Sequence, residues 1–420
     1  MNHKPAILSA ALMALLGNAP LAAAGETEAL QKEVERLKKQ NELIMERLEA
    51  TADMLESMQD GTAAAEETTA GSHDHSMATS GSMRDRTFGI HGQAGTTTVG
   101  AYGEMHYNNL KNNSGGSDKK EMDFHRFILF MGHEFTDSIR FWSELEVEHA
   151  FVEPDGGGEV AIEQAFLEFD LNPDLAARAG ILLVPVGFIN ETHEPPTFYG
   201  VERPNVDKYI LPTTWREGGA GLAGRFGQGF SYDVLVHTGL NITDPGFAVR
   251  GGRTGVGNAP ASDLAATARL NWAGVPGLLI GGTVQYQSDV TQGNNPNAGS
   301  ATLVSGHLSW QVSRFTLRGV YATWDLSGSA PAAVGADQQT GWYLEPSWKF
   351  TEKFGVFARY SDWDNSVNAD DTGNTQVDAG FNFWPHENVV LKFDYQDMSV
   401  GANSPVTEYD GFNLGIGYMF

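Results

Sequence analysis

The chain has 420 residues, with 53 acidic side chains against 27 Lys plus Arg and a formal net charge of −26. It has no cysteine, which excludes disulfide frameworks, thiolate metal sites and cysteine nucleophiles. Its acidity argues against nucleic-acid partners, which need basic surface against phosphate, and its 49 Gly and 10% aromatic content suit a large antiparallel β structure.

The elements follow in chain order. Residues 1–24 read as a secretory signal peptide. His3 and Lys4 precede the short apolar run Ala6 to Leu16, and Ala22, Ala23 and Ala24 place the cut before Gly25. That run is too short to span a bilayer, and no later segment offers about 18 consecutive apolar residues.

Residues 25–60 read as an α-helical coiled coil. Leu30, Leu37, Ile44, Thr51 and Met58 recur every seventh position, as do Val34, Asn41, Leu48 and Leu55. The pattern implies an oligomer and leaves dimer and trimer open. Residues 61–87 read as a flexible linker of Gly, Ala, Ser and Thr. Its His73-Asp74-His75 is read as polar linker, and no metal or cofactor is assigned.

From residue 88 the apolar period becomes two, and residues 88–420 read as an antiparallel β-barrel domain. The final run is the clearest. Phe412, Leu414, Ile416, Tyr418 and Phe420 alternate with small or polar residues, and Ile416, Tyr418 and Phe420 are read as a barrel-assembly signal. Earlier, Ile139, Phe141, Leu145 and Val147 alternate with Arg140, Glu144, Glu146 and Glu148. Charge on one face and Phe or Leu on the other fits a transmembrane barrel with lipid outside and water inside. Seven short turns and eight long polar connections imply about sixteen strands. The longest connection, 185–214, carries five prolines with Phe198, Tyr199 and Tyr209, and reads as a stiff pore loop.

The turn rhythm, the run RAGILLVPVGFINE from Arg178 and the closing FNLGIGYMF resemble the phosphate-selective (O and P type) porin family of outer-membrane channels. The heptad helix is similar to that of DcaP-like porins. The resemblance implies a homotrimer in the Gram-negative outer membrane, with basic residues lining the pore. It places the barrel among lipid and lipopolysaccharide, inserted by the barrel assembly machinery. The helix would lie in the periplasm and reach toward the cell wall.

Strand parity assigns candidate pore-lining residues. The basic ones are Arg126, Arg140, Arg178, Arg225, Arg269, Arg318, Arg359 and Lys392, with Arg203 and Lys208 in the pore loop. The acidic ones are Glu104, Glu144, Glu146, Glu148 and Glu168, with Asp378 and Asp394, and Glu191 and Glu194 in the loop. Arg at mid-membrane on the lipid side costs ~2–4 kcal/mol, so the interior is its physical home. The region nevertheless departs from the family, because 88–420 holds 19 basic against 39 acidic residues, a net −20.

The expected function is a water-filled channel for passive diffusion of small polar solutes, with a preference for small anions of phosphate or carboxylate type. The alternatives are an outer-membrane tether or adhesin anchored by its barrel, and a cation or metal-complex channel. An enzyme is not expected: the chain has no Gly-x-Ser-x-Gly elbow, and His106, His125, His133, His149, His237 and His307 are scattered.

Overall fold

The computed structural model describes residues 88–92, 95–150, 152 and 157–420. The signal segment, the heptad helix and the linker with its His73-Asp74-His75 lie outside the described residues. A short strand, β1 (Phe88–Gly92), precedes sixteen longer ones. These are β2 (Gly95–Asn112), β3 (Lys119–Thr136), β4 (Ile139–Glu148), β5 (Val160–Asn172), β6 (Leu175–Leu183), β7 (Arg216–Phe226), β8 (Phe230–Thr238) and β9 (Leu264–Val275). They continue with β10 (Leu278–Gln287), β11 (Ala301–Val312), β12 (Phe315–Leu326), β13 (Gln338–Thr351), β14 (Phe354–Asp364), β15 (Asn374–His386), β16 (Val389–Val400) and β17 (Tyr409–Met419).

Every strand pairs antiparallel with its sequence neighbour, and β17 closes the circle on β2 from Tyr409↔Asn112 to Met419↔Tyr102. Strands β2 to β17 thus form a closed sixteen-stranded barrel, the expected number. β1 pairs with the first five residues of β2, from Phe88↔Val99 to Gly92↔Gly95. Phe420 exchanges two backbone hydrogen bonds of 2.8 Å with Ala101, so the seam stays paired to its last residue. Closure leaves the barrel strands no open edge.

The two faces of each strand differ as the alternation requires. On β3, Leu129 and Met131 are exposed while Arg126, Ile128 and Phe130 are buried. On β16, Leu391 and Tyr395 face out while Lys392 and Asp394 are buried. The same holds for Trp342, Leu344 and Trp348 on β13 and for Val377, Phe381 and Phe383 on β15, all exposed. Charged groups gather inside and the outer face is apolar, the inverse of a barrel whose outer face is polar.

Apolar side chains also cluster inside the barrel, in small groups on β2–β3 and around Trp142 and Phe166 and in a large one between β11 and β14. Leu303, Val320, Ala322, Trp324, Tyr343 and Trp363, from β11 to β14, join Val206, Ile210, Leu211 and Trp215 of the connection 184–215 in a buried cluster. Leu240, Ile242, Phe247 and Val249 of the connection 239–263 complete it. These strands carry bulky residues on both faces, and the inner set receives the two connections. Trp324 is fully buried and its indole donates 2.9 Å to the Ile210 carbonyl. Trp324→Ala removes both the packing and that donor, a loss of ~3–5 kcal/mol for a buried Trp. The expected result is an intact barrel in which trypsin cuts much faster after Lys208.

Candidate functional site

The connection 184–215 leaves β6, crosses the interior and returns to β7. It holds a turn of 3-10 helix (Pro195–Thr197) and a short helix, α1 (Asn205–Tyr209). Irregular backbone buried inside a barrel must find partners for its carbonyls, and the barrel wall supplies them residue by residue. Arg126 donates 2.7 Å to the His193 carbonyl, Trp384 3.3 Å to Pro196, Arg318 3.2 Å to Thr197 and Asn382 3.0 Å to Phe198. Lys392 donates 2.8 Å to the Gly200 carbonyl, with its ammonium 3.5 Å from the Phe198 ring centroid. Arg359 reaches the carbonyls of Tyr199 and Glu202 at 3.5 and 3.4 Å. The Val201 N–H in turn donates 2.5 Å to the Asp394 carboxylate.

Glycine permits this fit at two points. Gly200 has φ +84°, a conformation that side chains disfavour. A Cβ on Gly417 of β17 would sit 2.3 Å from the Pro195 Cβ, so the loop lies directly on that strand.

The wall cations are also paired with wall carboxylates. Arg126 meets Glu104 at 2.6 Å, Arg140 meets Glu168 at 2.8 Å and also Asp170, and Arg178 meets Glu168 at 2.8 Å. Arg269 meets Asp233 at 2.6 Å and also Glu191, and Arg359 meets Asp378 at 3.0 Å and Glu345 at 3.1 Å. Arg126, Arg140, Arg269 and Arg359 are buried, and the charge of these cations is shared with acids and loop carbonyls. Arg225 is exposed at the short-turn end, where it donates to the Pro173 carbonyl. Glu144 and Glu194 are buried, and Glu163 stands 3.4 Å from His193 at the root of the loop.

A cavity of about 940 Å3 remains on the long-connection side. Of the candidate residues, Arg203, Lys208, Glu104, Glu146 and Glu148 line it, and the others named above do not. Its basic face comes from the connections, with Arg203, Lys208, Arg250 and Arg253 joined by Arg216 of β7. Its acidic face comes from the barrel wall, with Glu104, Glu121, Asp123, Glu146 and Glu148. Arg250 donates to the carbonyls of Lys208 and Thr213 at 3.1 and 2.7 Å, and Arg253 to those of Pro212 and Thr214 at 3.3 and 3.0 Å. Carbonyl partners orient a guanidinium without cancelling its charge. Burial, then the neighbouring guanidiniums of Arg250, Arg216 and Arg203, push Arg253 down to about 9. Burial followed by Arg126 likewise lowers Arg203. Glu202 and Asp207 of the same connection also line the cavity, as does Glu159, 3.8 Å from Arg216, so the cationic face is crowded and partly offset.

Sequence reasoning did not single out Arg216, Arg250 and Arg253. Arg250 and Arg253 belong to the connection after β8, which the sequence shows as an ordinary polar loop. The signal within it is the pair of Arg spaced by two Gly, beside Phe247 and Val249, whose burial draws the segment inward.

Barrel, inward loop and charged vestibule together define a sixteen-stranded barrel of porin fold. The chain is similar in structure to the outer-membrane channel DcaP of Acinetobacter baumannii, with a TM-score of 0.54 and 14% identity over 79% of this chain and 99% of that one. It is similar to OmpT of Vibrio cholerae, an outer membrane protein, with a TM-score of 0.52 and 10% identity over 79% of this chain and all of the other. A Salmonella typhi OmpF chain, solved with daunomycin, gives a TM-score of 0.52 and 12% identity over 79% of this chain and all of that one. No model of a known protein family matches the chain. The chain belongs to the same family as an uncharacterised protein of Aquifex aeolicus (strain VF5), to which it is 33% identical over 330 residues, 71% of this chain and 74% of that protein.

Proposed function

We propose that the chain is an outer-membrane channel for passive diffusion of small polar solutes, and that its vestibule favours small anions of the phosphate or carboxylate type. The observation that carries this reading is the vestibule itself, a polar cavity inside a barrel whose exterior is apolar, where Arg250 and Arg253 have neutral carbonyls as hydrogen-bond partners. Such an exterior is unfavourable in water by ~25 cal/mol per Å2 and is at home in hydrocarbon. Guanidinium groups hold carboxylate and phosphate oxygens in a fixed fork. The likeness in fold to the outer-membrane channel DcaP supports the channel part of this reading. A homotrimer accords with the OmpT chain solved in a trimer form, and the heptads of 25–60 would add a periplasmic clamp.

Planar-bilayer conductance with a salt gradient tests the proposal. Expected are steady open channels and a reversal potential of anionic sign. A barrel that never conducts would favour the tether reading, and cation preference would favour the cation channel.

Assembly is tested separately. Phe420 is 58% exposed while its backbone is paired with Ala101. Phe420→Ser leaves the ladder intact and removes the last outward aromatic. A several-fold drop in heat-modifiable barrel in the membrane fraction is expected, with unchanged unit conductance in what remains.

A further inference from the structure

The acidic wall of the vestibule carries a group of side chains that the channel reading does not use. Asp123 and His125 of β3 lie at a shift in the β2–β3 register, between Glu104↔Arg126 and His106↔Asp123, and both side chains line the cavity. His149 directly follows β4, and its N–H donates 3.3 Å to the His125 carbonyl. That bond extends the β3–β4 ladder by one step past Arg126↔Glu148. His149 has φ 57° and Ala150 φ 62°, a left-handed pair without glycine. Such conformations are held only where the surroundings over-determine them.

We infer that Asp123, His125 and His149 form a binding site for a divalent transition-metal ion of the zinc class, open to the vestibule. Three observations carry this. First, one donor atom from each residue lies within 4.8 Å of the others. His149 Nδ1 is 2.9 Å from both Asp123 oxygens, and His125 Nδ1 is 3.3 Å from Asp123 Oδ2. Donors at ~2.0–2.1 Å from a tetrahedral zinc stand about 3.4 Å apart, so small side-chain rotations suffice.

Second, the set is open. All three side chains line the cavity and are only partly buried, so an ion can enter and a fourth position faces solvent. Three protein ligands with an open fourth site is a recurrent zinc arrangement. Two imidazoles with one carboxylate select zinc, nickel, copper or cobalt over magnesium and calcium, which prefer oxygen alone. Third, the surroundings support the ligands. The His106 ring stacks on His125 at 4.7 Å, nearly parallel. Its two nitrogens lie 3.2 Å from Glu104 and 3.2 Å from Glu202, so it is a fixed platform rather than a further ligand. Glu121, Glu146 and Glu148 raise the local concentration of cations.

A second buried trio, Glu144, Glu163 and His193, has comparable spacing. It lies under the pore loop, where His193 is tied by its carbonyl to Arg126 and by its ring to Glu163. That trio is a loop anchor.

The test is Zn2+ titration of the full chain in detergent by calorimetry, followed by X-ray absorption of the bound ion. It is done on the natural chain, on His73→Ala/His75→Ala, on His125→Ala/His149→Ala and on Asp123→Asn. Heat-modifiability shows that each barrel is folded. Expected is a zinc ion per chain that survives the linker substitution and excess Mg2+, with nitrogen and oxygen neighbours at ~2.0–2.1 Å. His125→Ala/His149→Ala should weaken it by more than the ~10–100-fold that an outer partner costs, and Asp123→Asn by at least tenfold. Should a histidine variant fail to fold, Co2+ absorption of the folded Asp123→Asn decides by the same criterion. Unchanged affinity in the folded barrel variants would overturn the inference. So would zinc lost only with His73 and His75, or no zinc bound by the natural chain. None of these readouts requires the barrel to conduct.

Discussion

Replacing Arg250 and Arg253 together by alanine is expected to move the reversal potential in a salt gradient toward cations. The two guanidiniums belong to the cationic face of the vestibule, and their partners are neutral carbonyls. At about 10 Å and an effective dielectric of ~20, one such charge contributes about 1.7 kcal/mol to the energy of a passing ion. That corresponds to more than tenfold in occupancy for each charge, before screening. Salt reduces the effect, because the Debye length at ~0.1 M is about 10 Å. The shift should therefore be large in dilute salt and small near 1 M. Arg250→Lys/Arg253→Lys keeps the charge and should retain anion preference, even where it loosens the contacts to Pro212 and Thr214. If the alanine pair leaves the reversal potential unmoved in dilute salt, this face does not set selectivity.

Much of the barrel is legible in the sequence because its physics is local. The two-residue alternation of Phe412 to Phe420 is fixed by the pleat of one strand. The turn at Pro173 and Asp174 is fixed by proline and Asx chemistry. Repeated along the chain, these signals give the sixteen strands and the inward face of Arg126, Arg359 and Lys392.

What those inward cations touch is not local. Lys392 meets the carbonyl of Gly200, and Asp394 the N–H of Val201, across more than 190 residues. Parity shows which way a side chain points and is silent on which loop lies there. Reading each inward Arg as solute-facing therefore omits the carboxylates and carbonyls already beside it. Trp324 and Trp363 pose the same difficulty. An apolar residue on the inner face of a barrel reads as an exception until the pore loop that covers it is in place. The trio Asp123, His125 and His149 was equally hidden. His149 lies 26 residues beyond Asp123, and only the β3–β4 register brings it to Asp123 and His125.

Arg359→Ala should open the barrel more than any change at the vestibule mouth. Arg359 is almost fully buried between Glu345 and Asp378, and its remaining donors hold the carbonyls of Tyr199 and Glu202. Removing one member of a buried ion pair leaves its partners uncompensated and costs about 3–5 kcal/mol. The barrel can absorb that cost, since the ladders from β13 through β15 remain. The loop cannot, because near residues 193–203 it is held mainly by wall donors. Its other half, from Val206 to Trp215, is pinned by the apolar cluster and should stay in place. The expected result is a folded, heat-modifiable barrel with several-fold higher unit conductance and rapid cleavage by a glutamyl endopeptidase after Glu202. Arg359→Lys should fall between, because an ammonium cannot serve two carboxylates and two carbonyls in one plane. The alternative outcome is also informative. If Arg359→Ala conducts like the natural chain and resists the glutamyl endopeptidase, the apolar cluster alone positions the loop. Trp324→Ala would then be the substitution that opens the pore.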